Sequence, residues 1–408
     1  MPIYRSNRPH RVLSNQEKLD LFRDCTVVHP HLKRAYEEFR DAVNNPGGAS
    51  IIFLFGPTGV GKTTLLRQIM KVMVSEKTAR LEKDPNYLPV ATAEARAPES
   101  GSFDWKVYYQ SVLTSLTELP ASNYPIPKRS KLRKSKSYQR NVGSSNSHLS
   151  TLREQVVVNI QHRELVVFLT DEAQRFSKLA SSSRQQVQMD ALQSMASMTN
   201  TLHGLFGTYE LLEFRNLSGQ LSRRSIDIHF PRYQAQPGGC RRALHGESRE
   251  RDCDSDLVEF QRVLKSFGEK MTLEEAPELE IHWEFFYERS IGCVGILKDW
   301  LTQAYRKALH EEASTLSEHH WQPYAPSIAQ CLQIAAEAIE GEKAFEFESP
   351  KVSLLRQKLG LSRVSSSTIS SDTSSVIASS KKTPKGLASR HKGRPGVRQP
   401  NRDVIGGA

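Results

Sequence analysis

Cysteine is scarce in this chain, and the five present form no pattern. They stand at positions 25, 240, 253, 293 and 331 of 408 residues, with no C-x-x-C pair. That excludes a disulfide framework and a zinc knuckle, and it fits a reducing cytosol. Long apolar runs are missing too. The longest, Ile51 to Phe55 and Leu165 to Leu169, are strand-sized, and the N-terminus carries no apolar leader. No segment is therefore expected to span a bilayer, and a soluble, cytoplasmic protein with no membrane partner is expected. Hydrophobic residues make up only 38% of the chain, which suits an ordered core with polar tails better than one uniformly packed body. Acid is in deficit as well. The 56 Lys and Arg outnumber the 45 Asp and Glu to give +11, a balance that favours a polyanionic partner such as nucleic acid.

What the chain does contain is an alternation of strand-like and helix-like stretches. After a polar, basic start (residues 1–18), His29 to Val43 places Leu32, Tyr36, Phe39 and Val43 at helical spacing. Asn44 to Gly48 breaks that helix. Ile51 to Phe55 is the continuous apolar run of a strand buried on both faces. A glycine-rich turn and a helix from Thr63 to Val74 follow. Further strands are expected at Tyr87 to Thr92, Leu165 to Thr170, Leu202 to Phe206 and Ile226 to Phe230. Helices are expected at Trp105 to Leu116, Leu152 to Gln161 and Arg184 to Thr199, the last with Val187, Leu192, Met195 and Met198 roughly on one side. Strand alternating with helix implies a parallel α/β sheet with crossover helices. Residues 256–268, 280–310 and 326–345 read as helical. From Leu119 to Arg153 there is no acid, and residues 128–140 hold seven Lys or Arg. Beyond about 361 the chain is Ser-rich and then basic, a composition that stays disordered when free.

Two motifs carry chemistry. Gly56-Pro57-Thr58-Gly59-Val60-Gly61-Lys62-Thr63, with Thr64 after it, matches G-x-x-x-x-G-K-[ST] between a strand and a helix. Its glycines let successive N–H groups point at phosphate oxygens, and the following helix adds its positive end. Lys62 supplies a cation for the β/γ-phosphates, and the Thr63 hydroxyl can ligate Mg²⁺. The strand that ends in Asp171-Glu172 is the second half of the site. There Asp171 is suited to hold Mg²⁺ and Glu172 to polarise an attacking water. Thr208, at the end of the next strand, is placed either to sense the γ-phosphate or to cap a helix. Arg223 or Arg224, just before the last strand, is placed either to reach a neighbouring subunit's nucleotide or to form an intrachain ion pair.

With HPHLKRAYEEFRDA, GPTGVGKTTLL, LTDEAQRF, LFGTYELL and LSGQLSRRSIDIHFPRY in hand, the chain resembles the AAA+ ATPases, and within them the TnsC/TniB regulators of DNA transposition. The resemblance covers about residues 27–310. It implies an α/β AAA+ P-loop fold with a small helical lid, binding of ATP and Mg²⁺, and oligomers in ring or filament form on double-stranded DNA. It also implies two protein partners, transposase subunits and a target-selection protein that is CRISPR-linked in some elements. ATP hydrolysis would disassemble the oligomer. By motif position, Lys62, Thr63, Asp171, Glu172 and Thr208 take the P-loop, Mg²⁺, acid and sensor roles, and Arg223 or Arg224 the finger role. One departure is visible: Gly292-Cys-Val-Gly295 puts glycine where many such lids carry a sensor arginine, with Lys298 the nearest cation.

The resulting division is a basic arm (1–26), an ATPase core (27–235) with a basic insertion at about 119–150, a helical lid (236–310), a helical extension (311–360) and a tail (361–408). Lys128, Arg129, Lys131, Arg133 and Lys134 in the insertion, together with Lys106, are candidate phosphate contacts of a sequence-tolerant DNA binder. A solvated insertion is the other reading, and the basic tail suits either DNA or transposase docking. Two alternatives to transposition regulation stand beside it. One is another AAA+ initiator or loader; the other is a nucleotide-gated scaffold with little turnover.

Overall fold

The computed structural model describes residues 13–84, 86–97, 103–117, 148–176, 182–217, 219–235, 253–346 and 349–361. The expected phosphate contacts Lys128, Arg129, Lys131, Arg133 and Lys134, and the basic tail from 362, lie outside these residues.

The apolar run β1 (Ile51–Phe55) is buried at every position. Because strand side chains alternate in direction, a strand covered on both faces must be apolar throughout. Ile51, Phe53 and Phe55 pack into one core and Ile52 and Leu54 into another. Around it lie β2 (Val90–Glu94), β3 (Val167–Asp171), β4 (Leu202–Gly207) and β5 (Ser225–His229), in the order β2-β3-β4-β1-β5. All pairings are parallel, with Phe55 opposite both Gly207 and His229.

Helix α1 (Asn15–Asp24) precedes α2 (Pro30–Asn44), and α3 (Lys62–Glu76) and the short α4 (Thr78–Lys83) follow β1. Helices α2 and α3 cover the face that holds Ile52 and Leu54. The opposite face is covered by α5 (Trp105–Thr117), α6 (Leu149–His162), α7 (Ser182–Thr199), α8 (Leu211–Arg215) and α9 (Gly219–Arg223). The result is a three-layer α/β/α domain.

After β5 come α10 (Cys253–Lys270), α11 (Trp283–Ser290), α12 (Val294–His310), α13 (Glu318–Trp321), α14 (Ile328–Glu346) and α15 (Ser349–Lys358). Helices α10 to α12 enclose their own core around Leu264, Phe286, Leu297 and Tyr305, and Leu19 and Phe22 of α1 enter it. This is the small helical lid. The chain divides into two units, residues 1–351 and 352–408, and of the second only 352–361 are described. Among the described residues no helix is long and apolar enough to cross a membrane.

Four sequence expectations change. Part of the expected N-terminal arm is helix α1, opened by a capping box between Ser14 and Glu17; the S-x-x-E signature was present and the hydrophobic face it introduces packs on the lid. The second strand starts at Val90 rather than Tyr87, because Pro89 has no N–H to give to a ladder. The stretch 280–310 is broken at Ile291 (φ 50°) and Gly292 (φ 73°). A side chain at Gly292 would place its Cβ 2.2 Å from the Tyr233 carbonyl oxygen. On α7 the buried face is Met189, Leu192, Met195 and Ala196, while Val187 and Met198 point outward.

Candidate functional site

In an open parallel sheet, loops at the carboxyl ends of the strands converge where the chain order switches sides, here beside β1. The loop after β1 is the P-loop. Gly61, at φ 113°, forms the N-cap of α3, and Gly59 has φ 76°. Both conformations are open to glycine and costly for other residues. They aim the α3 N-terminus into a cleft of ≈590 Å³ whose walls include Thr58, Gly59, Gly61, Lys62, Thr63 and Thr64. Gly56, Pro57 and Val60 do not line this cleft. Gly56 and Pro57 lie beneath it and offer their carbonyls to Lys62, while Val60 is buried.

Lys62 is buried, and its Nζ donates to the Gly56 and Pro57 oxygens at 3.0 and 2.8 Å. Burial pushes its pKa down to about 8, against the pull of Glu172, Cys293 and Asp171 in the other direction. Thr63 Oγ1 donates to Asp171 Oδ2 at 2.8 Å, so a helix hydroxyl and a strand-end carboxylate meet at one point. Burial raises the Asp171 pKa, and the bonds from Thr63 and from the Glu172 N–H oppose that rise. This pair fits Mg²⁺, a hard cation that takes oxygen ligands and keeps several waters. When bound, the ion would neutralise charge on the β- and γ-phosphates.

Glu172 follows with φ 54°, a left-handed backbone rare for a side-chain-bearing residue, and it lines the cleft. Such strain persists only where surrounding contacts impose it. Thr208, at the end of β4, also lines the cleft. Its Oγ1 is buried without a hydrogen-bond partner among the described residues, and the N-cap of α8 is Glu210. The capping reading of Thr208 therefore fails, and its hydroxyl is left for a group entering the cleft.

Arg223 and Arg224 are not at this cleft. They precede β5 at the opposite, amino end of the strands, where the Arg224 carbonyl accepts from the N–H groups of Ser50 and Ile51. The five-residue strand between puts them about 13 Å or more from their own P-loop. Both are exposed, and Arg224 donates to the Ser197 hydroxyl at 3.2 Å. No intrachain ion pair is made by either among the described residues. Lys106, in the first turn of α5, is also away from the cleft; its backbone N–H bonds Asp104.

Two features of the cleft were not foreseen, and a third was visible in the sequence only as a missing arginine. Gln174 sits buried between Glu172 and Thr208. Arg175 reaches both Glu94 (2.7 Å) and Glu172 (3.3 Å). Gly295 opens α12 directly on the P-loop, where a Cβ would fall 2.4 Å from the Gly59 oxygen, and the Ile296 N–H donates to that same oxygen. The lid thus has no room for any side chain at 295. Lys298, one turn later, lines the cleft and donates to the Arg23 oxygen at 2.7 Å.

The sheet, the P-loop and the acid pair define an AAA+ P-loop domain with a five-stranded parallel sheet flanked by helices. Residues 44–214 match the family model described as "AAA domain". No curated protein matches the chain. Among solved structures, the chain is similar to the ORC2 protein of Aeropyrum pernix at 17% identity, covering 76% of this chain and 71% of that one with a TM-score of 0.44. It is similar to Cdc6p of Pyrobaculum aerophilum at 12% identity, with 75% and 69% covered and a TM-score of 0.47. A RuvB variant of Thermotoga maritima matches at 14% identity, with 86% and 85% covered and a TM-score of 0.35. None of these likenesses bears on what this chain does.

Proposed function

We propose that the chain is an ATP-driven switch that regulates DNA transposition: it assembles on double-stranded DNA with ATP and Mg²⁺, recruits transposase subunits, and receives a signal from a target-selection protein. The observation that carries the switch is the separation of the site between the two ends of the parallel strands. Lys62, Thr63, Asp171, Glu172 and Thr208 lie at the carboxyl ends of the strands, and Arg223 and Arg224 stand exposed at the amino ends. One protomer cannot complete its own site, so a head-to-tail contact between copies supplies the arginine. In hydrolysis, Glu172 accepts a proton from water as the water oxygen bonds to the γ-phosphorus, and the bond to the ADP oxygen breaks. Loss of the γ-phosphate removes what the arginine holds and releases the neighbour.

The transposition assignment rests on the DEAQ, GTYE and LSRRSIDIHFPRY resemblance and on the +11 charge. Lys106, the basic residues at 128–134 and the tail supply sequence-independent phosphate contacts. The glycine at 295 favours slow turnover, as suits a timer more than a motor. Negative-stain electron microscopy of the protein with duplex DNA, with and without ATP, tests this reading. Rings or filaments that require ATP and vanish in Lys62→Ala are expected. Monomers alone, with DNA bound equally without ATP, would contradict it.

A further inference from the structure

The P-loop, the acid pair and the sensor threonine leave one buried polar side chain of the cleft without a task. Gln174 is 5% exposed, two residues beyond Glu172 in the single turn of 3-10 helix Ala173–Phe176. Its amide spans two strands. Nε2 donates to Glu172 Oε2 at 3.0 Å, and Oε1 accepts from the Thr208 N–H at 3.3 Å. The fit is close: a Cβ on Gly207, the residue before Thr208, would lie 2.5 Å from Gln174 Oε1. Gly207 therefore leaves the space that the amide fills.

We propose that Gln174 is a positioning residue for Glu172, a strut that fixes the carboxylate of the acid to the backbone of the sensor strand end. This rests on the hydrolysis reading above. Glu172 sits on a strained backbone, and Gln174 is the neutral donor that joins its carboxylate to the next strand end. Gln174 and Arg175 both contact Oε2, so that oxygen is occupied by donors and the task of accepting a proton from water falls to Oε1. Both groups that act at the γ-phosphate then move as one piece: a shift at Thr208 is carried through the amide to the acid. Arg175, held by Glu94 at the end of β2, steadies the same oxygen from the other side. A buried glutamine needs partners in any protein, but partners on both groups of the reacting centre are more than burial requires.

The test is single-turnover hydrolysis of γ-labelled ATP in the full chain, with ATP affinity and melting temperature measured alongside. Gln174→Leu keeps the volume and removes both bonds. Its expected result is an ATP affinity within about twofold of wild type and a turnover rate lower by about ten- to a hundredfold, the size of a lost hydrogen bond to a charged group. Gly207→Ala, whose Cβ would meet the amide oxygen at 2.5 Å and the Leu211 side chain at 2.7 Å, displaces the amide without replacing it. It should give the same split between binding and turnover, with any cost of the Leu211 contact read from the melting temperature. Because Gln174 acts through Glu172, Gln174→Leu should cause no further loss in a Glu172→Gln background. A purely structural glutamine would cost the same in both backgrounds, or would lower affinity and melting temperature together with rate, and either result overturns the proposal. If Glu172→Gln alone slows hydrolysis and Gln174→Leu does not, the strut is wrong and the hydrolysis reading stands. If Glu172→Gln leaves the rate unchanged, both fall.

Discussion

Lys62 shows what the P-loop holds in the absence of phosphate. Its ammonium is desolvated and rests on two carbonyls of the loop it crosses. Burial brings its pKa from 10.5 to about 8. Between those values the unfolded chain holds a proton that the folded protein lacks, so the nucleotide-free protein gains stability as pH rises from about 8 toward 10.5. Below that window the folded state carries the full cost of a buried charge. Phosphates reverse this by restoring a partner. ATP binding should therefore weaken as pH rises through about 8 and take up about one proton above it, an order set by one titrating group. Calorimetry in buffers of different ionisation enthalpy measures that uptake, and binding with no proton uptake at pH 9 would contradict the assignment. At this scale the sequence was informative wherever chemistry sits on contiguous residues. Gly56 to Thr64 and Asp171-Glu172 could be read directly. Gln174 could not be given a role, because its second partner, Thr208, is 34 positions away. Arg175 and Glu94 are 81 apart.

Among the elements, α14 has a clearer role in the structure than in the sequence, where it reads as an amphipathic extension. It returns to the core beside the site. Gly341 packs on Tyr209, next to Thr208, with a hypothetical Cβ 2.3 Å or less from the ring. Phe345 stacks on His229 with centroids 4.5 Å apart. Glu342 takes two hydrogen bonds from Arg232, at 2.9 and 3.2 Å, with both side chains almost fully buried. Arg232 stands in the segment that joins β5 to the lid, so this pair ties the helical extension to that segment. Removing one partner strands the other charge in a low-dielectric setting. Glu342→Ala should lower unfolding stability by about 3–5 kcal/mol in chemical denaturation. Replacing both partners with apolar residues (Arg232→Met with Glu342→Leu) should recover most of it; a Glu342→Ala loss under about 1 kcal/mol would show the pair to be unimportant. Local periodicity indicated that α14 is a helix. What it covers depends on residues 110 positions apart, which no short-range pattern contains. The α1 cap was legible and was outweighed by the polar composition around it, and the Pro89 strand start was outweighed by the apolar Tyr87 and Leu88 before it.

For the molecule as a whole, the alternation of strands and helices was enough to infer the parallel sheet, and the structure adds the strand order. Because β1 and β5 are parallel neighbours, the nucleotide cleft lies at the carboxyl ends of the strands and Arg223-Arg224 at the amino ends. A molecule with a socket at one end of its strands and its key at the other repeats head to tail, so ATP, arginine and neighbouring copies become one linked unit. Mixing two inactive proteins tests this most directly. Glu172→Gln keeps its arginines and lacks the acid; a protein carrying Arg223→Ala and Arg224→Ala keeps the acid and lacks the arginines. Phosphate release is measured for each alone and for equal mixtures, in the presence of duplex DNA. The account expects each variant to be nearly inactive and the mixture to recover turnover, because an intact acid then meets an intact arginine across the contact. A mixture no more active than its components would contradict it, as would full activity in the double-arginine variant alone.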